Sequence, residues 1–404
     1  MIRTVWAAVL ASMTAGVCVA ADFDIRKTGA SQTNAPAANA VAIQRAIDAA
    51  ADVAGRVVVP AGEWVSGTLW LKSGVELHLA KGAVLKASPD LKDYNAEDAY
   101  PENWGSPKSE HWRGFHFIIC RAAENVAITG EGMIHGNGDV FFDEKPIRYY
   151  DWMTPTAAAW WNGIRRAKDK VNLRPGQLIV FVKCRNLRVD GVTIRNAPCW
   201  SLYFHGCQDV TVRNYTVRNG HDDGETDGVD VDCCKNVLLE DLDIDTGDDA
   251  IAIRGAGRRL LLDPQPPCEN VVVRRAKLKA TSSVFRIGVG DGLIRNVTVE
   301  DVVCGRGGTA INLNACFGDR ATGGVDMEDI VFRRCRFENC RLGYWIHAAG
   351  KKQTFGIRRV TLEDVSFPKD IPHHVGADAG SPEPKDVVIR LAPLENRTTR
   401  EEAR

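Results

Sequence analysis

Three aspartates carry the most informative chemistry in this chain of 404 residues. Asp227 lies in Thr226-Asp227-Gly228, and Asp248 and Asp249 follow Gly247, with a separation of 21 positions between Asp227 and Asp248. In a chain that coils back on itself at about that period, this spacing brings the carboxyl groups together. Clustered carboxyl groups suit glycoside hydrolysis, in which a protonated acid donates to the leaving oxygen and an ionised acid activates water. A calcium site built from aspartate oxygens and a solvated loop are the alternative interpretations.

A short phrase recurs along the chain and supports the coiled arrangement. Each copy begins with Asn, Asp or Arg and continues with alternating apolar and polar residues, which is the pattern of a short strand. From residue 186 onward the copies follow at intervals of 23, 27, 34, 26, 33 and 30 residues. The copies begin at Asn125, Asn186, Asp209, Asn236, Asn270, Asn296, Asp329 and Arg359.

These copies are not separated by helical patterns, which argues against a βαβ fold. The repeat predicts an all-β fold, a single-stranded right-handed parallel β-helix, in which each coil is stable only beside its neighbours. A β-propeller is the alternative, but its blades of about 40–45 residues fit the intervals less well. Residues 37–54 carry apolar side chains at near-helical spacing, so they predict a capping α-helix at the N-terminal end, with Gly55 as the stop signal.

Three segments follow from this organisation. Residues 1–20 contain an early Arg3, an apolar run and a small-x-Ala end, and they predict a secretory signal peptide. Residues 22–369 form the predicted β-helix domain. Residues 370–404, rich in Pro, Asp and Arg, are predicted to be a loosely attached tail. We therefore expect a secreted or periplasmic protein without a membrane span.

Composition narrows the partners and cofactors. A net charge of −1 gives no general attraction to nucleic acid or membranes, so an acidic ligand would need local basic groups. Among the twelve cysteines, Cys184, Cys207, Cys234 and Cys268 lie just before the repeat phrase, and we interpret them as small buried residues stacked at one turn. Disulfide pairing is the alternative. No pattern indicates a metal, nucleotide, flavin or haem site, so we expect no cofactor, and we expect a monomer.

Over residues 22–365 the chain resembles glycoside hydrolase family 28, the polygalacturonases and rhamnogalacturonases on a pectate-lyase-like β-helix. The resemblance rests on Thr226-Asp227-Gly228-Val229-Asp230, followed by Gly247-Asp248-Asp249-Ala250 at the family's separation. It implies inverting hydrolysis of α-linked galacturonic acid in pectin-type polysaccharides or oligosaccharides. In that case Asp248 is the general acid, and Asp227 and Asp249 hold and deprotonate the attacking water.

The chain departs from the family pattern at three places. Glu225 stands where the family has Asn, and Ser283 lies in the segment that replaces the Gly-His-Gly motif. Asn312 begins the segment that replaces Arg-Ile-Lys, the motif that holds the substrate carboxylate. Arg286 is predicted to take over this role through a bidentate contact, with a structural ion pair as the alternative. Because of these departures, rhamnogalacturonan and other uronic-acid oligosaccharides stay open as substrates.

Further side chains are predicted to contact substrate together with Arg286, Ser283 and Asn312. Trp200, Tyr203 and His205 precede Asp227 by about one coil, and outward alternation would place one or more of them at the floor of a cleft. His221 flanks the acid motif in a loop. Residues 136–177 lack the repeat phrase and predict a long inserted loop, whose aromatic residues would either wall one end of the cleft or pack the loop onto the β-helix.

Two other functions fit the same residues. A polysaccharide lyase would bind calcium through the acids and use Arg286 as base, and a non-catalytic β-solenoid would bind glycans without cleaving them. The Gly-Asp-Asp phrase and the separation of 21 positions favour the hydrolase. The expected partner is an acidic polysaccharide or oligosaccharide, and we expect neither nucleic acid nor a membrane to bind.

Overall fold

The computed structural model describes residues 21–95, 115–142, 147–148, 162–164, 174–256, 266–316 and 323–394. The predicted signal peptide, residues 1–20, lies outside these ranges, as does most of the predicted inserted loop, residues 136–177.

The helical segments are α1 (Pro36–Ala51) and short 3-10 helices at Ile25–Thr28, Leu91–Asp93 and Gly138–Phe141. The strands of the first part of the chain are β1 (Asp22–Asp24), β2 (Arg56–Val59), β3 (Gly62–Ser66), β4 (Leu69–Leu71), β5 (Glu76–Leu79), β6 (Ala83–Ala87), β7 (Ile118–Arg121), β8 (Glu124–Gly130), β9 (Met133–His135), β10 (Ile147–Arg148), β11 (Asn162–Ile164), β12 (Ile179–Val182), β13 (Arg185–Asp190) and β14 (Thr193–Arg195). The remaining strands are β15 (Leu202–His205), β16 (Gln208–Arg218), β17 (Val229–Asp232), β18 (Lys235–Asp245), β19 (Ile251–Gly255), β20 (Cys268–Lys279), β21 (Ser283–Gly290), β22 (Leu293–Asn314), β23 (Asp326–Phe337), β24 (Cys340–Ala348), β25 (Ile357–Ser366), β26 (His374–Ala377) and β27 (Lys385–Leu391).

The strands form a right-handed parallel β-helix, as the repeat predicts. Apart from the antiparallel pair β10–β11, the described strands pair in parallel with strands of the coils before and after them. Long strands bend from one face of the coil to the next, so that the two ends of β16 pair with β13 and β14 respectively. One face, here called face 1, consists of β4, β7, β12, β15, β17, β19, β21, the last part of β22, β24 and β26.

The repeat phrase begins at a corner of the coil. Asn186, Asp209, Asn236 and Asn270 have φ values of +54°, +57°, +58° and +58°. This left-handed conformation is more accessible to Asn and Asp than to other non-glycine residues. The corner side chains also join successive coils, because Asn236 donates to Asp209 at 2.8 Å and Asn270 donates to Asn236 at 2.9 Å. The first residue of the phrase therefore turns the chain, and the alternating residues after it form a strand.

Alternation along the strands fills the interior of the coil. On face 1, Phe204, Val231, Ile253 and Ile287 occupy the same inward position in successive coils, and each is 0% exposed. Burying an apolar side chain of this size stabilises the fold by about 1.5–3 kcal/mol. Because every coil contributes such residues, the interior is a continuous apolar column.

The predicted stack of buried cysteines is confirmed. The eleven cysteines of the described residues are buried and free. Cys184 Sγ lies 3.7 Å from Cys120 Sγ, and the backbone N–H of Cys207 donates to Cys234 Sγ at 3.2 Å. The thiols of Cys120, Cys184, Cys207 and Cys234 therefore fill one corner of successive coils without disulfide pairing among them.

The predicted capping helix is α1, which covers the N-terminal end of the coil. Its buried face includes Ile43, Ala46 and Ile47, whereas Val41 is 53% exposed and lies on the outer side. Asn39 fastens the helix to the first coil, because its Nδ2 donates to the carbonyl oxygen of Val65 at 2.9 Å. Within the described part of the chain, no helix combines the length and the hydropathy of a membrane span.

The predicted tail is wrong for residues 370–391. Strand β26 pairs with β24, and β27 pairs with β25, so the β-helix extends to Leu391. Asp386 has a φ of +54° and is followed by an alternating segment, which repeats the corner and strand of earlier coils. The Pro-rich and Asp-rich composition of this region obscured the phrase in the sequence.

Candidate active site

The three predicted catalytic acids lie on neighbouring coils, at the start of adjacent face 1 strands. Asp227 precedes β17, and Asp248 and Asp249 precede β19. Val229 is in register with Ile251, 22 positions later, so Asp249 lies one coil after Asp227 and Asp248 lies one position before that register. The acids are buried, with 4%, 6% and 4% of their respective surfaces exposed.

The two segments that carry the acids are fastened to each other. Thr226 Oγ1 donates to the carbonyl oxygen of Asp223 at 2.6 Å and accepts the N–H of Gly247 at 3.2 Å. A Cβ atom on Gly247 would lie 2.1 Å from that same carbonyl oxygen, so only glycine fits at this position. Asn219 adds another link, because its Nδ2 donates to the carbonyl oxygen of Thr226 at 3.0 Å. These contacts give the acids a rigid support.

Asp248 has the surroundings of a proton donor. Its Oδ2 accepts the backbone N–H of Glu225 at 2.7 Å. Burial raises the pKa of Asp248 well above its usual range, and the charges of Asp249 and Glu225 add to this effect. The Glu225 N–H and the guanidinium of Arg286 act in the opposite direction without cancelling it. The protonated form of Asp248 is therefore favoured.

Asp249 contacts a hydrogen-bond donor and a cation. Its Oδ1 accepts the backbone N–H of Ser283 at 2.7 Å, and its Oδ2 lies 3.6 Å from Arg286 Nη1. Asn312 is in register with Arg286 and donates through Nδ2 to Ser283 Oγ at 3.1 Å. Three of the predicted substrate-binding residues are thus linked to Asp249 through β21 and β22.

The pKa of Asp227 depends on its burial and on the neighbouring carboxyl groups. Burial raises its pKa well above the usual range, and the charges of Asp230, Asp248 and Asp249 raise it further, while Arg254 lowers it. Interacting carboxyl groups at such a site titrate as a set, with apparent pKa values that belong to the whole group. The cluster therefore favours fewer charges than it has carboxyl groups.

A second buried polar group adjoins the acids on the outer side of face 1. Arg254 Nη1 lies 3.8 Å from Asp230 Oδ1, and Arg254 Nε lies 3.8 Å from Asp232 Oδ2. The same guanidinium lies over the ring of Trp200, 4.5 Å from the ring centroid. All four residues are at most 6% exposed. A buried Arg held in this way fixes the electrostatic environment of the neighbouring acid cluster.

The two aspartates of this second group are in opposite states. Burial raises the pKa of Asp230 well above the usual range despite the attraction of Arg254. For Asp232 burial acts in the same direction, but the hydrogen bond and charge of His205, together with Arg254 and the backbone N–H of Ala256, lower the pKa to about 2. The Ala256 N–H donates to Asp232 Oδ1 at 2.8 Å. Asp232 is therefore ionised and Asp230 is favoured in its protonated form.

His205 belongs to this second group, so the prediction that it contacts substrate is wrong for this structure. Its ring is 0% exposed, and Nδ1 lies 3.4 Å from Asp232 Oδ2 and 3.1 Å from Tyr203 Oη. Alternation identified the outer side of the sheet correctly, but that side is covered at this coil. Trp200 packs edge-on against Tyr203, with 5.3 Å between the ring centroids, and supports Arg254.

His221 lies in the loop before Asp227 and is exposed. Its carbonyl oxygen accepts a hydrogen bond from Thr281 Oγ1, which ties this loop to the coil that carries Ser283. The contact of its side chain with substrate stays a prediction. Among the described residues, no three His, Cys, Asp or Glu side chains are placed to hold a metal ion.

Four charged residues of the site were missed from the sequence: Asp230, Asp232, Arg254 and Arg174. Arg174 is 6% exposed, forms an ion pair with Glu225 and donates to the carbonyl oxygen of Pro198 at 2.9 Å. Strand alternation held the signal for the two aspartates, because each follows a valine in β17 and therefore points to the outer side. No local sequence pattern indicated Arg174, because its partner Glu225 is distant in sequence.

The chain matches known proteins over most of its length. The family described as "Glycosyl hydrolases family 28" matches residues 51–371. A "Probable polygalacturonase" from Vitis vinifera is 25% identical over 294 residues, which cover 72% of this chain and 55% of the relative. An "Endo-polygalacturonase" from Pectobacterium carotovorum subsp. carotovorum is 27% identical over 241 residues, which cover 59% of this chain and 55% of the relative. This chain therefore spans about half the length of these curated relatives.

A solved structure, the hyperthermoactive exopolygalacturonase from Thermotoga maritima, is similar to this chain with a TM-score of 0.63 and 21% identity over 91% of each chain. At this identity the likeness supports the fold alone. The family match spans both acid-bearing segments and the coils around them. The chain belongs to glycosyl hydrolases family 28.

Proposed function

We propose that this protein is a secreted polygalacturonase-type glycosidase that cleaves α-linked galacturonic acid in pectin-type polysaccharides or oligosaccharides. One observation carries the proposal: three buried carboxyl groups, on Asp227, Asp248 and Asp249, lie on neighbouring coils with Arg286 beside them. Asp248 is buried beside other acids, and Asp249 accepts a backbone N–H and lies beside Arg286. Such a pair divides the tasks of acid and base catalysis between two neighbouring side chains.

In this proposal Asp248 donates its proton to the oxygen of the leaving sugar. Asp249 accepts a proton from the attacking water, and Asp227 holds that water from the neighbouring coil. An inverting reaction needs room for water between the acid and the base, and it releases the product with the opposite anomeric configuration. The first product from an α-linked substrate is therefore expected to be the β-anomer.

Arg286 is proposed to bind the carboxylate of the substrate. It lies beside Asp249, and 14% of its side-chain surface is exposed. A guanidinium can bind a carboxylate through two parallel hydrogen bonds, which lysine cannot reproduce. The N-terminal segment 1–20 is proposed to direct secretion, because it combines an early basic residue, an apolar run and a small-x-Ala end.

The experiment that tests the hydrolase is product analysis on oligosaccharides of homogalacturonan and of rhamnogalacturonan, with and without a chelator. We expect new reducing ends that survive the chelator, and the preferred oligosaccharide identifies the substrate class. Asp248→Asn should reduce kcat by about 100-fold or more, because the general acid is lost. Chelator-sensitive unsaturated products would instead indicate a lyase, and binding without turnover would indicate a glycan-binding module.

A matched variant controls for the loss of a carboxylate as such. Asp243 is 51% exposed and pairs with Arg218 on another face of the coil. Asp243→Asn should leave the products and kcat unchanged. An equal loss of activity in both variants would show that Asp248 acts through the fold and not through proton transfer.

A further inference from the structure

The outward-pointing side chains that are in register on successive strands of face 1 form a row, and this row changes from buried to partly exposed along the axis of the β-helix. Ile119, Val180, Tyr203 and Asp230 occupy successive outward positions, and each is 0% exposed. The row continues through partly exposed residues, Arg286, Asn312, Trp345 and His374. The floor accessible to a ligand therefore extends from Arg286 toward the C-terminal coils.

Trp345 lies on this accessible part of face 1. Its ring stacks on the ring of His374 from the next coil, with 4.0 Å between the centroids and 25° between the planes. Strand β26, which carries His374, lies on the opposite side of β24 from β22, which carries Asn312. One face of the indole is thus covered by His374, and the other face looks along the row toward Asn312.

The ring of His374 is itself fixed in place. His374 Nε2 lies 2.9 Å from His347 Nδ1, and His347 Nε2 lies 3.1 Å from Asp378 Oδ1. This chain of contacts holds the imidazole against the indole. Trp345 therefore has a supported orientation before any ligand arrives, which reduces the entropy lost on binding.

Asn312 offers a polar group on the same side. Its Nδ2 donates to Ser283 Oγ at 3.1 Å, whereas its buried Oδ1 has no hydrogen-bond partner. Neighbouring strands lie about 4.8 Å apart, so the Arg286 and Trp345 positions are separated by about 10 Å.

We propose that Trp345 and Asn312 form a subsite for a sugar unit of an acidic oligosaccharide, next to the unit whose carboxylate Arg286 binds. The face of the indole opposite His374 packs on the apolar face of the sugar ring, and the partly exposed Asn312 side chain borders the same sugar unit. Aromatic walls with a few placed polar groups are typical of ligand sites. This subsite rests on the proposed function, since Arg286 and the acids define where the neighbouring sugar lies.

The test measures binding of galacturonic acid and of hexagalacturonide to the Asp248→Asn protein by titration calorimetry. Adding Trp345→Ala should weaken hexagalacturonide binding about three- to tenfold, because aromatic packing is lost, and should leave binding of the monosaccharide at Arg286 unchanged. Trp345→Phe should lose less, because part of the ring face remains. Unchanged hexagalacturonide binding in the Trp345→Ala variant would overturn the subsite.

Trp70 provides a matched control. It occupies the same outward row, six strands before Arg286, and is 37% exposed. Trp70→Ala should bind both ligands like its parent, and an equal loss there would overturn the assignment to Trp345. Circular dichroism of each variant checks that the fold is retained.

Activity separates this inference from the proposed function. If the otherwise wild-type protein cleaves galacturonides and Trp345→Ala keeps its kcat/KM on hexagalacturonide, the subsite is overturned and the proposed function stands. If the intact protein neither binds nor cleaves any galacturonide, both are overturned. A selective loss of kcat/KM on the long substrate supports both.

Discussion

At the scale of single residues, the acids of the site differ in the groups that surround them. Asp249 accepts the backbone N–H of Ser283 and lies beside Arg286, whereas Asp248 accepts the backbone N–H of Glu225 and has a pKa raised by burial. Beside Arg254, burial raises the pKa of Asp230, whereas the pKa of Asp232 is lowered by His205 despite its burial. Burial alone would favour the protonated form of every acid, so the contacts of each side chain decide its state.

The raised pKa of Asp248 has a consequence for stability that can be measured. Its folded-state pKa lies above the ordinary value of 3.8, so its stabilising contribution is complete below that value and is lost as the pH rises through the raised pKa. Asp248→Asn removes this loss. We expect the variant to be inactive but more stable than the wild type at pH 7, by about 1 kcal/mol or more, and to show no such gain at pH 3.

Thermal unfolding of both proteins from pH 3 to pH 8 measures this difference. Asp243→Asn, which removes an exposed carboxylate, should not reproduce the pH-dependent gain. A variant that becomes less stable than the wild type as the pH rises would show that Asp248 is ionised in the folded protein and stabilised by the N–H of Glu225.

At the scale of elements, corner residues determine where each strand begins. Asn236 is typical, because it combines a φ of +58° with hydrogen bonds to Asp209 and Asn270 in the adjacent coils. Its side chain is exposed, so these contacts stabilise the corner only modestly. The backbone conformation is the larger requirement at this position.

Substitutions at Asn236 can separate the two effects. Asn236→Ala should lower the free energy of unfolding by about 1–2 kcal/mol, because alanine is strained in the left-handed region and cannot join the ladder. Asn236→Gly removes the strain and loses only the ladder, so it should be less destabilising. Urea unfolding measures both values. Equal losses would show that the side-chain contacts, and not the φ value, matter here.

At the scale of the whole molecule, much of the architecture could be predicted from the sequence and the long-range contacts could not. The phrase beginning at Asn186 and Asn236 contains both the corner and the strand, so the repeat identifies the coil. The ion pair of Arg174 with Glu225 joins residues from different coils, and no local pattern encodes it. The prediction that His205 contacts substrate was wrong for a related reason, because alternation predicts the side of the sheet that a residue faces and not what covers that side.

The buried thiols allow local unfolding of the β-helix to be measured without introducing a label. Free cysteines occur from Cys120 to Cys340, and each is shielded in the native coil. An alkylating reagent can therefore modify a given thiol only when its own coil opens, so the rate at each cysteine reports the opening free energy of that coil.

Mass spectrometry after timed labelling should show little modification in buffer and complete modification in strong denaturant. Under mild denaturant, Cys335 and Cys340, which lie in coils near the C-terminal end of the described β-helix, should react before Cys207 and Cys234, which lie nearer its middle. Simultaneous reaction of all thiols would instead mean that the β-helix opens as one cooperative unit.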